Sequence, residues 1–296
     1  MKLFFLIVCH KITPSLLYNL KKFSTFKNSK VLVHIDKKSK FSEDDLLKAE
    51  NIIYMKEHLD IQWGSISQVN VTYKMLLTIN SENYDYVSLM SGEDLFIKSE
   101  EEFISFLSSH IGLEFIGVQK DNYGFYNPNN RFMYKYPTSF FSSNPSLANK
   151  FIKSATNFLF KIGLFQNKQK LPYKSFYKGS NWFTLSKQAV KLIINEIDTK
   201  KLLDYFQNSF CIDEVIFQTI LINNGFLNKI YLINKNVDDN KMSLRYVNWI
   251  DGPEYPKLLN KKDLEQQFEN NIFFIRKISS YLSEEELNSI FKKDLS

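Results

Sequence analysis

The sequence is poor in cysteine, glycine, proline and histidine, and it has no apolar run long enough to cross a bilayer. Its only cysteines, Cys9 and Cys211, stand far apart inside apolar stretches. That excludes a disulfide framework or a zinc site and points to buried thiols in a reducing compartment. The four histidines, His10, His34, His58 and His110, show no metal-ligand spacing. Nine glycines and seven prolines in 296 residues exclude a linker-rich or fibrous chain. The N-terminal apolar run, Leu3–Cys9, is cut off by His10-Lys11 and lacks a small-residue cleavage site. It reads as a first buried strand, so the expected location is cytoplasmic, with peripheral contact to a membrane left open.

What is present is a globular composition, 44% hydrophobic and 24% charged, enough to bury a large core as one domain or two intimate halves. A net charge of +6 suits an anionic small-molecule substrate or an anionic membrane surface. It is too diffuse for nucleic acid, and no nucleic-acid-binding motif accompanies it. The abundant aromatics, 27 Phe and 16 Tyr, belong to a Lys- and Asn-rich composition bias and carry no function by themselves.

Over the first 120 residues strand and helix patterns alternate. Strands are expected at Leu3–Cys9, Val31–Ile35, Ile52–Met55, Tyr86–Met90 and Phe115–Val118, and helices at Pro14–Phe23, Ser42–Ala49, Ser67–Ile79 and Glu100–Ser108. This order predicts an α/β fold with a mostly parallel central sheet flanked by helices. In such sheets ligands collect at the carboxyl ends of strands, where Asp36 and the Ser91-Gly92-Glu93-Asp94 turn lie. Later elements are a helix over Asn149–Phe165, a strand at Trp182–Leu185, helices at Lys187–Glu196 and Asp213–Ile222, strands at Lys229–Ile233 and Leu244–Val247, and a charged helical tail from Lys261. The Asn149–Phe165 helix puts Phe151, Ile152, Ala155, Phe158, Leu159 and Ile162 on one face with Lys150, Lys153 and Lys161 at its sides. It reads as packed on the core, or as lying on an anionic leaflet.

The chemically most informative stretch is Phe210–Thr219, where Asp213 and Glu214 open an apolar, helix-like run. Acids there are favoured by the unpaired N–H groups of a first turn, and most are caps. A partly shielded carboxylate at such an end is also suited to general-base work.

Seven stretches, in order, resemble the core-2/I-branching β-1,6-N-acetylglucosaminyltransferase family, which includes the peptide O-xylosyltransferases. Phe4 and Leu6-Ile7-Val8-Cys9-His10-Lys11 resemble its opening strand and basic turn. Val33-His34-Ile35-Asp36-Lys37-Lys38-Ser39 resembles VHxDxKS, and Gln62-Trp63-Gly64-Ser65 with Ser67 and Val69 resembles WGxxSxV. Tyr86 through Asp94, followed by Ile97-Lys98-Ser99, resembles YxxxLSGxDxPIKS. Tyr177-Lys178-Gly179-Ser180-Asn181-Trp182-Phe183 resembles xxGSxWF, Ile212-Asp213-Glu214 through Thr219 resembles PDExxxxT, and Leu244 through Trp249 resembles LRxxxW. Ile212 replaces the proline of the PDE motif.

The resemblance implies a single nucleotide-sugar transferase domain of GT-A type, with a nucleotide-binding half (1–118) and an acceptor-binding, catalytic half (119–296). It implies an inverting transfer from a UDP-sugar to a hydroxyl of a glycan or glycolipid acceptor, with no cofactor and no metal. Glu214 matches the base, and Asp213 caps or orients a neighbour. Phe273-Phe274-Ile275-Arg276-Lys277 resembles the phosphate-contact segment FxxKF, with Lys277 the better match and Arg276 the next. A second phosphate-binding arginine has no clear counterpart; Lys257 lies in the right region. Asp36 and Trp63 are expected at the nucleoside, and Ser91, Asp94, Gly179, Ser180, Trp182 and Trp249 at the sugar or acceptor. Without an anchor, stem or paired cysteines, the pattern resembles a bacterial-type member building surface polysaccharide or lipooligosaccharide. Two alternatives stand beside this reading: a manganese-dependent transferase using Asp94 or Glu93, and a non-catalytic nucleotide-sugar or glycan-binding protein.

Overall fold

A computed structural model of the protein describes residues 1–121, 124–141, 146–251 and 256–291. The chain opens with β1 (Leu3–Cys9), an apolar run buried on both faces, as a central parallel strand must be. Its side chains alternate between two cores. Phe4 and Leu6 join one core, and Leu3, Phe5 and Ile7 the other. Helix α1 (Pro14–Ser24) follows, with Pro14 in its first turn and the Thr13 hydroxyl capping the Leu16 N–H at 3.0 Å. Then come β2 (Ser29–Ile35), β3 (Ile52–Tyr54), α2 (Ser67–Ile79), β4 (Tyr86–Ser91) and the short β5 (Leu95–Phe96). Helix α3 (Glu100–Ser109) starts with a reciprocal Ser99–Glu102 capping box, and β6 (Phe115–Ile116) follows it.

The second half contributes a small hairpin, β7 (Lys120–Asp121) and β8 (Gly124–Phe125), then α4 (Leu147–Lys161), β9 (Phe183–Ser186), α5 (Lys187–Thr199), α6 (Leu202–Tyr205) and α7 (Ile216–Asn223). It ends with α8 (Asp239–Met242), β10 (Arg245–Val247), α9 (Lys261–Leu264), β11 (Phe274–Arg276) and α10 (Glu284–Phe291). The main sheet has the order β3-β2-β1-β4-β9-β6. Strands β3, β2, β1 and β4 are parallel, while β9 runs antiparallel to both of its neighbours. Helices α2, α5 and α7 pack on one face, and α1 and α3 on the other. A second sheet, β10-β11-β5, lies beside the carboxyl end of β4.

Four expectations are corrected. Residues 42–49 form only a single turn at Glu43–Asp45, because Leu46 alone of that stretch is buried and a helix there has no apolar face to cover. Residues 229–233 form no strand: Lys229 ends a short 3-10 turn, Ile230 makes an isolated bridge to Glu114, and 231–233 are turns with Leu232 in the left-handed region. The tail is not wholly helical: Phe274–Arg276 is a strand, held by β10 and β5, and residues 292–296 of the expected tail fall outside the described residues. Finally, Asp213 and Glu214 do not open α7. They occupy a separate turn, Ile212–Glu214, entered through Cys211 at φ +48°, and α7 begins at Ile216.

Candidate active site

Strand order reverses at β1, which has β2 on one side and β4 on the other, so a crevice opens between the carboxyl ends of β1 and β4. The β4 end is braced from below. The Ser15 hydroxyl donates to the Gly92 carbonyl at 2.8 Å, joined there by Thr13, and the Asn19 amide donates to the Asp94 carbonyl at 2.7 Å. Within the turn, the Asp94 carboxylate accepts the Ser91 N–H at 2.7 Å, and the Ser91 hydroxyl accepts the Glu93 N–H at 3.2 Å.

Three cations meet this turn. Lys11, at the end of β1, lies 2.8 Å from one Glu93 oxygen, and Lys277 lies 2.7 Å from the other. Burial works to raise the Glu93 carboxyl, but the two lysines outweigh it and hold it below the usual carboxylate value. Arg276 pairs with the fully buried Asp94 at 3.0 Å, off the hydrogen-bonding direction, while its guanidinium lies 4.4 Å over the Trp182 indole. Beneath these is Arg245, fully buried at the start of β10. It donates to the Ser243 carbonyl at 3.0 Å and to the Leu89 carbonyl, and its guanidinium stands 4.5 Å over Phe274. Burial pulls the Arg245 guanidinium down to about 9, opposed by the charge of Asp94. A buried cation in an apolar strand is costly unless it is paired or used.

The carboxylate pair stands on the turn Ile212–Glu214, just before α7. Asp213 is buried; its Oδ2 accepts from the amides of Gln68 at 3.2 Å and Asn181 at 3.1 Å. Burial, and then the adjacent Glu214 charge, push the Asp213 carboxyl up. Glu214 is partly exposed, and its Oε2 meets Arg131 at 3.2 Å and Lys178 at 3.3 Å. Its Oε1 takes no hydrogen bond from any described residue, and the side chain is 33% exposed. Arg131 is backed by the Phe210 ring at 5.3 Å, and Lys178 by the Gln119 amide oxygen at 2.9 Å.

One short stretch, 179–182, joins the two sides. Gly179 donates its N–H to the Glu214 carbonyl at 2.9 Å, Asn181 holds Asp213 at 3.1 Å, and Trp182 carries Arg276 at 4.4 Å. Ser180 is fixed by its N–H to Asp239 at 2.8 Å and by its carbonyl to Gln218 at 2.6 Å. The close backbone approach that Gly179 allows is to the Gly117 carbonyl, which occupies the place of any Cβ.

The other expected residues are placed as follows. Asp36 is buried at the end of β2, where its carboxylate accepts the Lys38 N–H at 2.8 Å as a turn acid does. It is tied electrostatically to His10, whose neighbours include Glu93 and Lys277. Lys38 also binds the carbonyl of Ile61, and the chain runs from there to Trp63, half exposed, edge-on to Phe210 at 5.7 Å. Trp63 thus shares the Phe210 ring with Arg131, the partner of Glu214. Trp249 is half exposed after β10 and makes no ring contact with a described aromatic. Lys257 is tied to Asp263 at 2.7 Å. Both thiols are buried, and burial pushes each up to about 12.

Sequence reasoning passed over Arg131, Lys178, Arg245 and Lys11. A signal was available: the chain has only three arginines, Arg131, Arg245 and Arg276, and the fold brings all three to this crevice. In a lysine-rich chain, arginine persists where a planar, always-charged fork is needed.

A six-stranded, mostly parallel sheet flanked by helices, with a switch point between β1 and β4, is the architecture of a GT-A-like glycosyltransferase fold. The chain belongs to the Core-2/I-Branching enzyme family, whose profile matches residues 3–273, nearly the whole sequence. That is a family of glycosyltransferases acting on glycans. Among curated proteins, none matches the chain.

Proposed function

We propose that the protein is an inverting transferase that moves a sugar, N-acetylglucosamine or one similar, from a UDP donor to a hydroxyl of a glycan acceptor in the assembly of a bacterial surface polysaccharide or lipooligosaccharide. Glu214 is the general base: its open Oε1 takes the proton of the acceptor hydroxyl as that oxygen bonds to the anomeric carbon. The bond from the anomeric carbon to the β-phosphate oxygen breaks on the opposite face, and its electron pair leaves with UDP. Lys277 and Arg276 receive the diphosphate, and buried Arg245 adds fixed positive potential behind them. Asp36 and Trp63 hold the nucleoside, while Ser91, Ser180, Trp182 and Trp249 border the sugars, flat indoles suiting their apolar faces. Asp213, held by Gln68 and Asn181, sets the turn that aims Glu214.

The observation that most supports this reading is the double attachment of residues 179–182, to the carboxylate pair on one side and to Arg276 on the other. A base and a leaving-group clamp must face each other across the reacting carbon, and one rigid stretch fixes their separation. The test is Glu214→Gln, which keeps shape and removes the base. UDP binding by calorimetry should persist while UDP release in the presence of acceptor falls at least about a hundredfold. Near-normal turnover removes Glu214 from the role.

A further inference from the structure

Helix α4 exposes what helices of soluble proteins bury. Its inner edge is Phe160, stacked on Tyr134 at 4.3 Å and edge-on to Tyr136 at 5.1 Å, with Thr156 buried beside it. Its outer face carries Leu147 (85% exposed), Phe151 (76%), Phe158 (63%) and Ile162 (58%), and the following loop adds Leu164, Phe165 and Leu171. Steps of four, seven and four residues put the first four on one stripe. An apolar surface of this extent marks an interaction face.

The charges around it identify the occupant. Between residues 146 and 174 the sequence has six lysines, at 150, 153, 161, 168, 170 and 174, and no acid. Lys161, Lys168, Lys170 and Lys174 are exposed, and Lys153 leans 5.8 Å over Phe140; the Lys150 side chain lies outside the described residues. A second copy of the chain would bring six more lysines against these. A surface both apolar and anionic is complementary, and a bilayer with anionic headgroups is such a surface. The helix is too short to span one.

We propose that α4 and the loop to Leu171 dock in the plane of an anionic bilayer, with Phe151 and Phe158 in the acyl boundary and the lysines at the headgroups. Resting on the transferase reading above, this makes the acceptor a lipid-linked glycan. Phe160 meets Tyr136 at 5.1 Å, Tyr136 meets Phe210 at 5.4 Å, and Phe210 backs Arg131, which holds Glu214. The membrane-facing helix is thus coupled through aromatic rings to the wall that carries the base.

The test is co-sedimentation with vesicles, without nucleotide. Vesicles of phosphatidylcholine with about 30 mol% phosphatidylglycerol should bind at least about tenfold more protein than phosphatidylcholine alone, and about 0.5 M salt should weaken the binding. The double variant Phe151→Glu/Phe158→Glu should lose it while UDP binding is unchanged. If that variant fails to fold, Lys161→Glu/Lys168→Glu/Lys170→Glu replaces it. Equal vesicle binding by a folded variant overturns the proposal, as does absence of binding by the unaltered protein. A dimer in solution that the variant dissociates also overturns it, assigning the face to a second copy. None of these results bears on Glu214, so the two proposals fail separately.

Discussion

Asp94 and Arg276 form a buried ion pair at 3.0 Å, at the strand end where a metal-dependent transferase of this fold would present its carboxylates. Neighbouring Glu93 is likewise held, by Lys11 and Lys277. Acids already neutralised by protein cations offer a divalent ion little, and fixed cations supply the same charge stabilisation to a leaving diphosphate. Turnover should therefore be unchanged in excess chelator. Loss of activity that manganese restores would transfer Asp94 and Glu93 to a metal site.

Lys277 is expected to exchange Glu93 for the diphosphate. Lys277→Met should raise the dissociation constant for UDP about tenfold or more, measured by calorimetry, since charge-assisted bonds to phosphate are among the stronger polar contacts. An unchanged constant would leave Arg276 as the binding cation.

Gly179→Ala places a methyl where the Gly117 carbonyl lies. Backbone cannot step aside as a side chain tip can, so the variant should lose about 1–3 kcal/mol of stability. A lower melting temperature in thermal unfolding, with turnover reduced because Gly179 also bonds the Glu214 carbonyl, is the expected result.

Glu114 is buried under β9, where it accepts the Ser186 N–H at 2.8 Å and the Ser186 hydroxyl at 2.6 Å. Burial raises its carboxyl from 4.5 to about 7, against those hydrogen bonds. The folded state therefore holds the proton more tightly than the unfolded one. The contribution of Glu114 is fully present below 4.5 and is lost as pH rises through about 7. Glu114→Gln should flatten that decline in urea titrations run from pH 4 to 8, about the window its two values define. A variant with the same pH slope would assign the decline elsewhere.

The parallel half of the sheet was legible because buried central strands are written as apolar runs, and strand Leu3–Cys9 matches the structure residue for residue; helix Ser67–Ile79 does so too, on its helical period. The single turn at 43–45 was misread because a good cap, Ser42 with Asp45, precedes no apolar stripe. Strand β11 was hidden because three residues carry no period and its partners, β10 and β5, lie far off in sequence. Among the candidate site residues, Glu214 stands in a motif that the sequence displays. Arg131 does not, since only the fold carries it 83 positions along the chain to that carboxylate.

Strand β9 is inserted between β4 and β6, although both of those are complete before residue 120. During synthesis the early sheet therefore waits with a raw edge on β4 until some seventy further residues, by rough count, have emerged, a non-local pairing that is slow and exposed to aggregation. The stretch 179–182, which joins the Glu214 turn to Arg276, immediately precedes β9. Closing the sheet and joining the Glu214 turn to Arg276 are then one folding event, so the candidate site is complete only when its scaffold is finished.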